Sequence, residues 1–427
     1  MSLRHVHAAA PPAAGGELLV LAPCLPRPDG DACSLRWFHL LRFLARHFRV
    51  HLGCRADPLR DGAQFSRVRA LCYETRFLPP PGVRQRIRLG APQLDPALQA
   101  WAVRLCTQRP VGAVLACGAR LGASLGAMPS GPVRIVDLVE LESDQQRRRG
   151  ALRAWPGAAL WRHRARRLLA VERAAGAACD HVLLAAPADV ARLRLFAPES
   201  AHKAQLLASG VDPEHYSPHI LQRSPYPAGA RALLLAGPLD SLAVGEAACW
   251  LAEEVFAPLR AADPGLRLAL ADADPHARIH PRLKALARRT GVDLAGGVGD
   301  LRPWLAHAAM VLAPPVGGHA ARMAVLAAMA LEKPVLGLPR SLAGLACLSL
   351  PEALAASDAP AFRARIGAML AGDETGAAGG ADMNGPRPGE IGRAARARVL
   401  REHDWNLCLA GLPALLAAAP QPLASVG

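Results

Sequence analysis

Lysine is almost missing from this chain: Lys203, Lys284 and Lys333 stand against 47 arginines. Aromatic residues are also scarce at 4%, so hydrophobic cores must be built from Leu, Ala and Val. The formal charge of +15 brings no helix-turn-helix, zinc-finger or RNP-type pattern, and few rings for base stacking. Nucleic acid is therefore not the expected partner. The ten cysteines, spread from Cys24 to Cys408, contain no CxxC pair, which excludes the usual zinc and dithiol spacings. They read as small buried hydrophobes in a reducing compartment. No apolar run reaches the roughly 18–20 residues of a spanning helix, and the best stretch, 406–420, contains Pro413. No secretory signal is visible in the Ala/Pro/Gly-rich residues 1–16, so a cytoplasmic protein is expected. No repeat of 20–50 residues appears.

What is present is apolar residue in quantity: 52% of 427 residues, enough for two cores. High Arg, Ala, Gly and Pro is the usage of a GC-rich genome, a bland source for the positive charge. Short apolar bursts alternate with helical-period segments, the pattern of βα units around a parallel sheet. Strands are predicted at 17–23, 48–54, 75–79, 111–117, 133–139 and 180–186, and again at 231–237, 266–272, 292–297, 310–315 and 334–339. Helices are predicted at 34–47, 95–108, 158–178, 243–262, 278–290, 320–332 and 360–371. The proline-rich run 213–229 marks a boundary. The expected organisation is a disordered tail 1–16, a Rossmann-like domain 17–218, a linker 219–229, and a second Rossmann-like domain 230–371. A flexible loop 372–389 and terminal helices 390–419 packed back on the body complete it.

Several residues are candidates for chemistry. Gly30 and Asp31 follow the first strand and precede a helix, where a ligand can approach backbone and helix terminus. A tight strand-to-helix turn with Asp31 near the helix start is the alternative. Asp137, Glu140, Glu142 and Asp144 crowd four acids into eight residues. If the strand continues, the last three share one side at period two and can bind sugar hydroxyls or receive an acceptor proton. They can equally be partners of Arg147, Arg148 and Arg149. Gly317 and Gly318 lead into a helix whose first turn carries His319 and Arg322, an arrangement suited to a diphosphate. The loop 296–302 is rich in glycine and is capped by Asp300. Residues 147–173 carry nine arginines interleaved with Trp155, Leu160, Trp161, Leu168 and Leu169. That pattern suits either an anionic membrane surface or an amphipathic helix with a solvated Arg face.

The order of motifs resembles the family-4-type glycosyltransferases, in particular the sugar transferases associated with the PEP-CTERM/exosortase system. The residues carrying the likeness are RWFHLLRFLARHFRVHLGC (36–54), IVDLVELESD (135–144), RRLLAVER (166–173), APES (197–200), SGVDPEHYSP (209–218), GGVGDLRPWLAHA (296–308) and VLAAMALEKPVL (325–336). The resemblance implies a GT-B fold, two Rossmann-like domains facing across a cleft. It also implies metal-independent hexosyl transfer with retention, and a role in exopolysaccharide or cell-surface glycan assembly. The donor, a nucleotide-sugar, would be held by Gly237, Asp240, Gly299, Asp300, Gly317, Gly318, His319 and Arg322. A glycan or lipid-linked acceptor would meet Gly30, Asp31 and Asp137, with Glu140, Glu142 and Asp144 as catalytic acids. No cofactor or metal is expected. The chain departs from the family where the VLEAMA glutamate, an acceptor for the donor ribose, is replaced by Ala327. Losing such an acceptor costs about 1.5–3 kcal/mol. Ala324 replaces a family lysine, and 237–247 lacks the family's Pro-Asn. Those losses motivate a second class of function, a non-catalytic binding or scaffolding partner. Nucleotide-sugar epimerisation on the same fold has no residue support of its own.

Overall fold

The computed structural model describes residues 16–80, 94–151, 155–220, 222–240, 242–273, 279–313, 318–342, 355–374 and 387–417. It divides into two compact units, Met1–Ala208 with Leu409–Gly427, and Ser209–Cys408. The first boundary therefore lies about ten residues ahead of the expected one at 218, because Val211 bridges Asp404 and donates its N–H to the His403 carbonyl, within the second unit.

The first unit is built on a parallel sheet of β1 (Glu17–Ala22), β2 (Arg49–Arg55), β3 (Glu74–Leu78), β4 (Val111–Cys117), β5 (Val133–Val139), β6 (His181–Leu184) and β7 (Ala204–Leu206). Their order is β3-β2-β1-β4-β5-β6-β7. Val20 pairs with Leu52 on one side and Leu115 on the other, and all three are essentially inaccessible. Helices cover both faces, which is why these strands read as continuous apolar runs rather than alternating ones. The helix Ala32–Leu44 starts where Asp31 Oδ1 accepts the Ser34 N–H at 2.8 Å. The helix Pro96–Gln108 is started by Asp95 in the same way, with proline at its first position.

The second unit repeats the plan with β8 (Arg231–Ala236), β9 (Leu266–Ala271), β10 (Val292–Ala295), β11 (Met310–Ala313) and β12 (Val335–Gly337), ordered β10-β9-β8-β11-β12 and parallel throughout. The predicted helix over 243–262 is continuous from Leu242 to Ala262, with a π-helical turn at Leu251–Phe256. The helix Pro388–Glu402 packs on the helix His319–Ala330. At that contact a Cβ on Gly392 would run into the Glu332 carbonyl, so only glycine allows the approach. Leu412–Ala417 instead lies against β4 and β5 of the first unit.

Three expectations need correction. The chain does not continue as a strand through 140–144: β5 ends at Val139, whose φ of 67° turns the backbone, and a helix begins at Glu142. The short strand β7 was missed because it is three residues long with polar Gln205 at its centre. The ends of the expected loop 372–389 are helical, since Ala359–Glu374 and Pro388–Glu402 run into it. Its middle, 375–386, and nearly all of the expected tail 1–16 lie outside the described residues.

Candidate functional site

In open parallel sheets, ligands gather beyond the carboxyl ends of the strands where the winding direction reverses. In the second unit that switch point lies between β8 and β11, neighbours at the third and fourth places of its sheet. Residues 237–240 leave β8 there. The Gly237 N–H is bonded to the Ala271 carbonyl at 3.0 Å. The Leu239 N–H is bonded to Asp272 Oδ2 at 2.9 Å, and its carbonyl accepts the His280 N–H at 2.8 Å. The loop is thus pinned from both sides, while the Asp240 side chain is exposed. Asp272, 7% exposed, was overlooked in the sequence although its carboxylate holds this turn.

Beyond β11, Gly318 caps the helix His319–Ala330 with no side-chain bond of its own. The Arg322 N–H is the first to reach back along the helix, to the Gly318 carbonyl at 3.2 Å. The amides ahead of it are those that a helix leaves without an internal carbonyl. With the helix dipole they favour an anion. His319 is buried at 1% exposure and Arg322 is half-buried one turn in. Gly317 lies outside the described residues. Ala327 is buried at 4% exposure, on the third turn, and Ala324 is half-buried.

The loop after β10 ends beside these elements. Gly299 adopts φ 73°, a conformation that glycine takes without strain, and its N–H is bonded to the Ala273 carbonyl. Asp300 accepts the Arg302 N–H at 2.8 Å and its guanidinium at 2.7 Å. Burial works against ionisation of Asp300, but the Arg302 hydrogen bonds outweigh it and hold the carboxyl below its ordinary range. Asp300 therefore shapes the loop just ahead of the helix Arg302–His307. Burial pushes the Tyr216 phenol up to about 12 next to this pair.

The first unit has its switch point between β1 and β4. Asp31, Asp137 and Glu140 come together there around Cys33. Burial first, then the negative charges of Asp31, Glu140 and Asp137, push its thiol well above the ordinary value. Asp137 is not open to a ligand. Its carboxylate takes Arg36 Nε at 2.9 Å and Nη2 at 3.0 Å, with neither side chain exposed, and Arg36 also donates to the Leu207 carbonyl. Asp144 is closed in the same way by Arg147, Arg148 and Arg192, so the reading of it as a catalytic acid is replaced by a structural one. Burial opposes its ionisation, yet the hydrogen bonds from Arg147 and Arg148 hold its carboxyl below the usual range. Glu142 is exposed, Glu140 half-buried, and Gly30 packs so tightly on Ser34 that a Cβ would meet Ser34 Oγ at 2.7 Å.

The sequence also contains Asp-x-Asp triplets at 29–31 and 272–274. Asp29 pairs with Arg27 at 3.3 Å, Asp31 caps its helix, Asp272 holds Leu239, and Asp274 lies outside the described residues. Among the described residues, no three His, Cys, Asp or Glu side chains are placed to hold a metal ion.

Residues 230–371, nearly all of the second unit's sheet and helices, match the family described as Glycosyl transferases group 1. No curated protein sequence matches the chain. Among solved structures, sucrose-phosphate synthase of Thermosynechococcus elongatus is similar over 93% of this chain and 98% of its own, with a TM-score of 0.63 and 15% identity. HepE of Anabaena, solved in complex with UDP, covers 94% and 99% at TM-score 0.58 and 13% identity. The α,α-trehalose-6-phosphate synthase of Burkholderia multivorans covers 94% and 98% at TM-score 0.59 and 12% identity. The fold is GT-B, two Rossmann-like units in one chain.

Proposed function

We propose that the protein is a metal-independent hexosyltransferase that moves a sugar from a nucleotide-sugar to an acceptor in exopolysaccharide or cell-surface glycan synthesis. The observation that carries this reading is the glycine-capped N-terminus of His319–Ala330 at the β8/β11 switch point, inside the stretch matching the group 1 transferases. There the amides and Arg322 hold the leaving diphosphate and take up the charge that develops as the sugar–oxygen bond breaks. Gly237, Asp240 and the Gly299–Asp300 loop frame the nucleoside. In the first unit, Gly30, Asp31 and Glu140 hold a glycan or lipid-linked acceptor, and Glu140 with Glu142 receives the proton of its hydroxyl. HepE of Anabaena has been solved with UDP-glucose, which makes UDP-sugars the first donors to try.

The test is thermal unfolding with UDP-, GDP- and ADP-sugars, with and without EDTA. A ligand at 100 times its Kd stabilises the folded state by about 2.7 kcal/mol, and EDTA should not abolish the shift. Absence of any shift at millimolar concentration overturns the reading.

The buried Ala327 favours a second reading, a partner that does not turn over. Under it, Ala327→Glu leaves transfer at zero, whereas a gain of turnover marks a weak enzyme.

A further inference from the structure

The helices Glu142–Ala151 and Gly157–Ala178 pack on each other in the first unit. Together with the end of the helix Pro187–Phe196 they enclose a cavity of about 240 Å³. Its wall is apolar, from Ala165, Leu169 and Phe196, and its rim is cationic, from Arg147, Arg162 and Arg166. Ser143 and Asp144 close one end, and Asp144 is already neutralised by its arginines. The cavity falls below the roughly 300–1,000 Å³ of pockets that enclose a drug-sized ligand. It has room for a chain segment rather than a whole nucleotide.

The segments that build it are unusual in two ways. Trp155 is 80% exposed, Leu160 60% and Leu195 71%, three of the six most open large apolar side chains among the described residues. Between them, residues 142–173 carry nine arginines against Glu142, Asp144 and Glu172, and of those acids only Glu142 is exposed. The guanidinium of Arg147 lies 4.6 Å from the Phe196 ring centroid and that of Arg164 5.2 Å from Trp161, so charge and apolar surface interleave rather than segregate. Among the described residues no helix is long and apolar enough to cross a membrane. Cations at the rim of an apolar recess match a lipid that carries its negative charge just above its chain.

We propose that this face docks on an anionic lipid bilayer, the cavity receiving a chain segment of one lipid while Arg147, Arg162 and Arg166 hold its phosphate. The docking stands on the first unit alone. Failure of every nucleotide-sugar test leaves it untouched, and its own failure leaves the donor site untouched.

The experiment is sedimentation of the full chain with vesicles of phosphatidylcholine, with or without phosphatidylglycerol. Binding is expected only where phosphatidylglycerol is present. Arg162 and Arg166 are exposed, so Arg162→Gln with Arg166→Gln leaves the fold intact and should weaken binding about thirtyfold, at about fivefold per arginine. Dodecyl phosphate should raise the melting temperature where inorganic phosphate does not. Four results overturn the proposal: no sedimentation with anionic vesicles, sedimentation indifferent to the arginine pair, an equal shift with inorganic phosphate, or tighter binding of the same face to RNA.

Discussion

Glu172 is 1% exposed, and its carboxylate accepts hydrogen bonds from the Ser143 N–H at 3.0 Å and from the Ser143 hydroxyl. Burial raises its pKa to about 7 from an ordinary 4.5, against the opposing pull of those bonds. A raised folded-state pKa means that folding favours the protonated form, so stability is greatest below the unfolded value and is lost as pH climbs through about 7. Glu172→Gln should remove that slope, leaving the variant more stable relative to wild type by about 3 kcal/mol above neutral pH. Urea titrations at mildly acidic and mildly alkaline pH measure the difference. Arg36 is a second residue whose role depends on burial. Arg36→Met strands the Asp137 carboxylate without its counter-charge in the core and should cost about 3–5 kcal/mol, while Arg36→Met with Asp137→Leu recovers most of it. At the donor site, Arg322→Ala should weaken nucleotide-sugar binding about 10- to 100-fold, read by titration calorimetry.

At the scale of elements, the apolar bursts located every strand but β7 to within one or two residues. The runs 111–117 and 133–139 match β4 and β5 end for end. A strand covered on both faces must be apolar throughout, and that demand is written locally in the chain. The acids after β5 show the opposite case. Period-two spacing put Glu140, Glu142 and Asp144 on one side, but Val139 at φ 67° breaks the extended chain and a helix turns Asp144 inward to its arginines. Such a turn is held by neighbouring strands, not by local propensity. The packing of Pro388–Glu402 rests on a similar non-local fact. Gly392→Ala would drive a Cβ into the Glu332 carbonyl, and overpacking against backbone should destabilise by about 1–3 kcal/mol, read by chemical denaturation of the second unit.

For the whole molecule, two units with separate cores predict that unfolding is not a single two-state event. Calorimetry should resolve two transitions, with a nucleotide-sugar raising the one that belongs to Ser209–Cys408. Leu412 is 1% exposed in the terminal helix that packs on β4 and β5. Leu412→Ala should lower the other transition, by about 2–5 kcal/mol of stability, and leave the ligand response alone.

By itself the sequence determined all the strands but β7, most of the helices between them and the βα alternation. Each follows from periodicity, capping and backbone freedom over a few residues. Only the tertiary structure decided which acids are spent. Asp137 meets Arg36 across 101 positions of chain, and Asp144 gathers Arg192 from 48 positions away. Whether a carboxylate is a ligand or a structural partner depends on which charges share its low-dielectric surroundings, and distance along the chain carries no record of that.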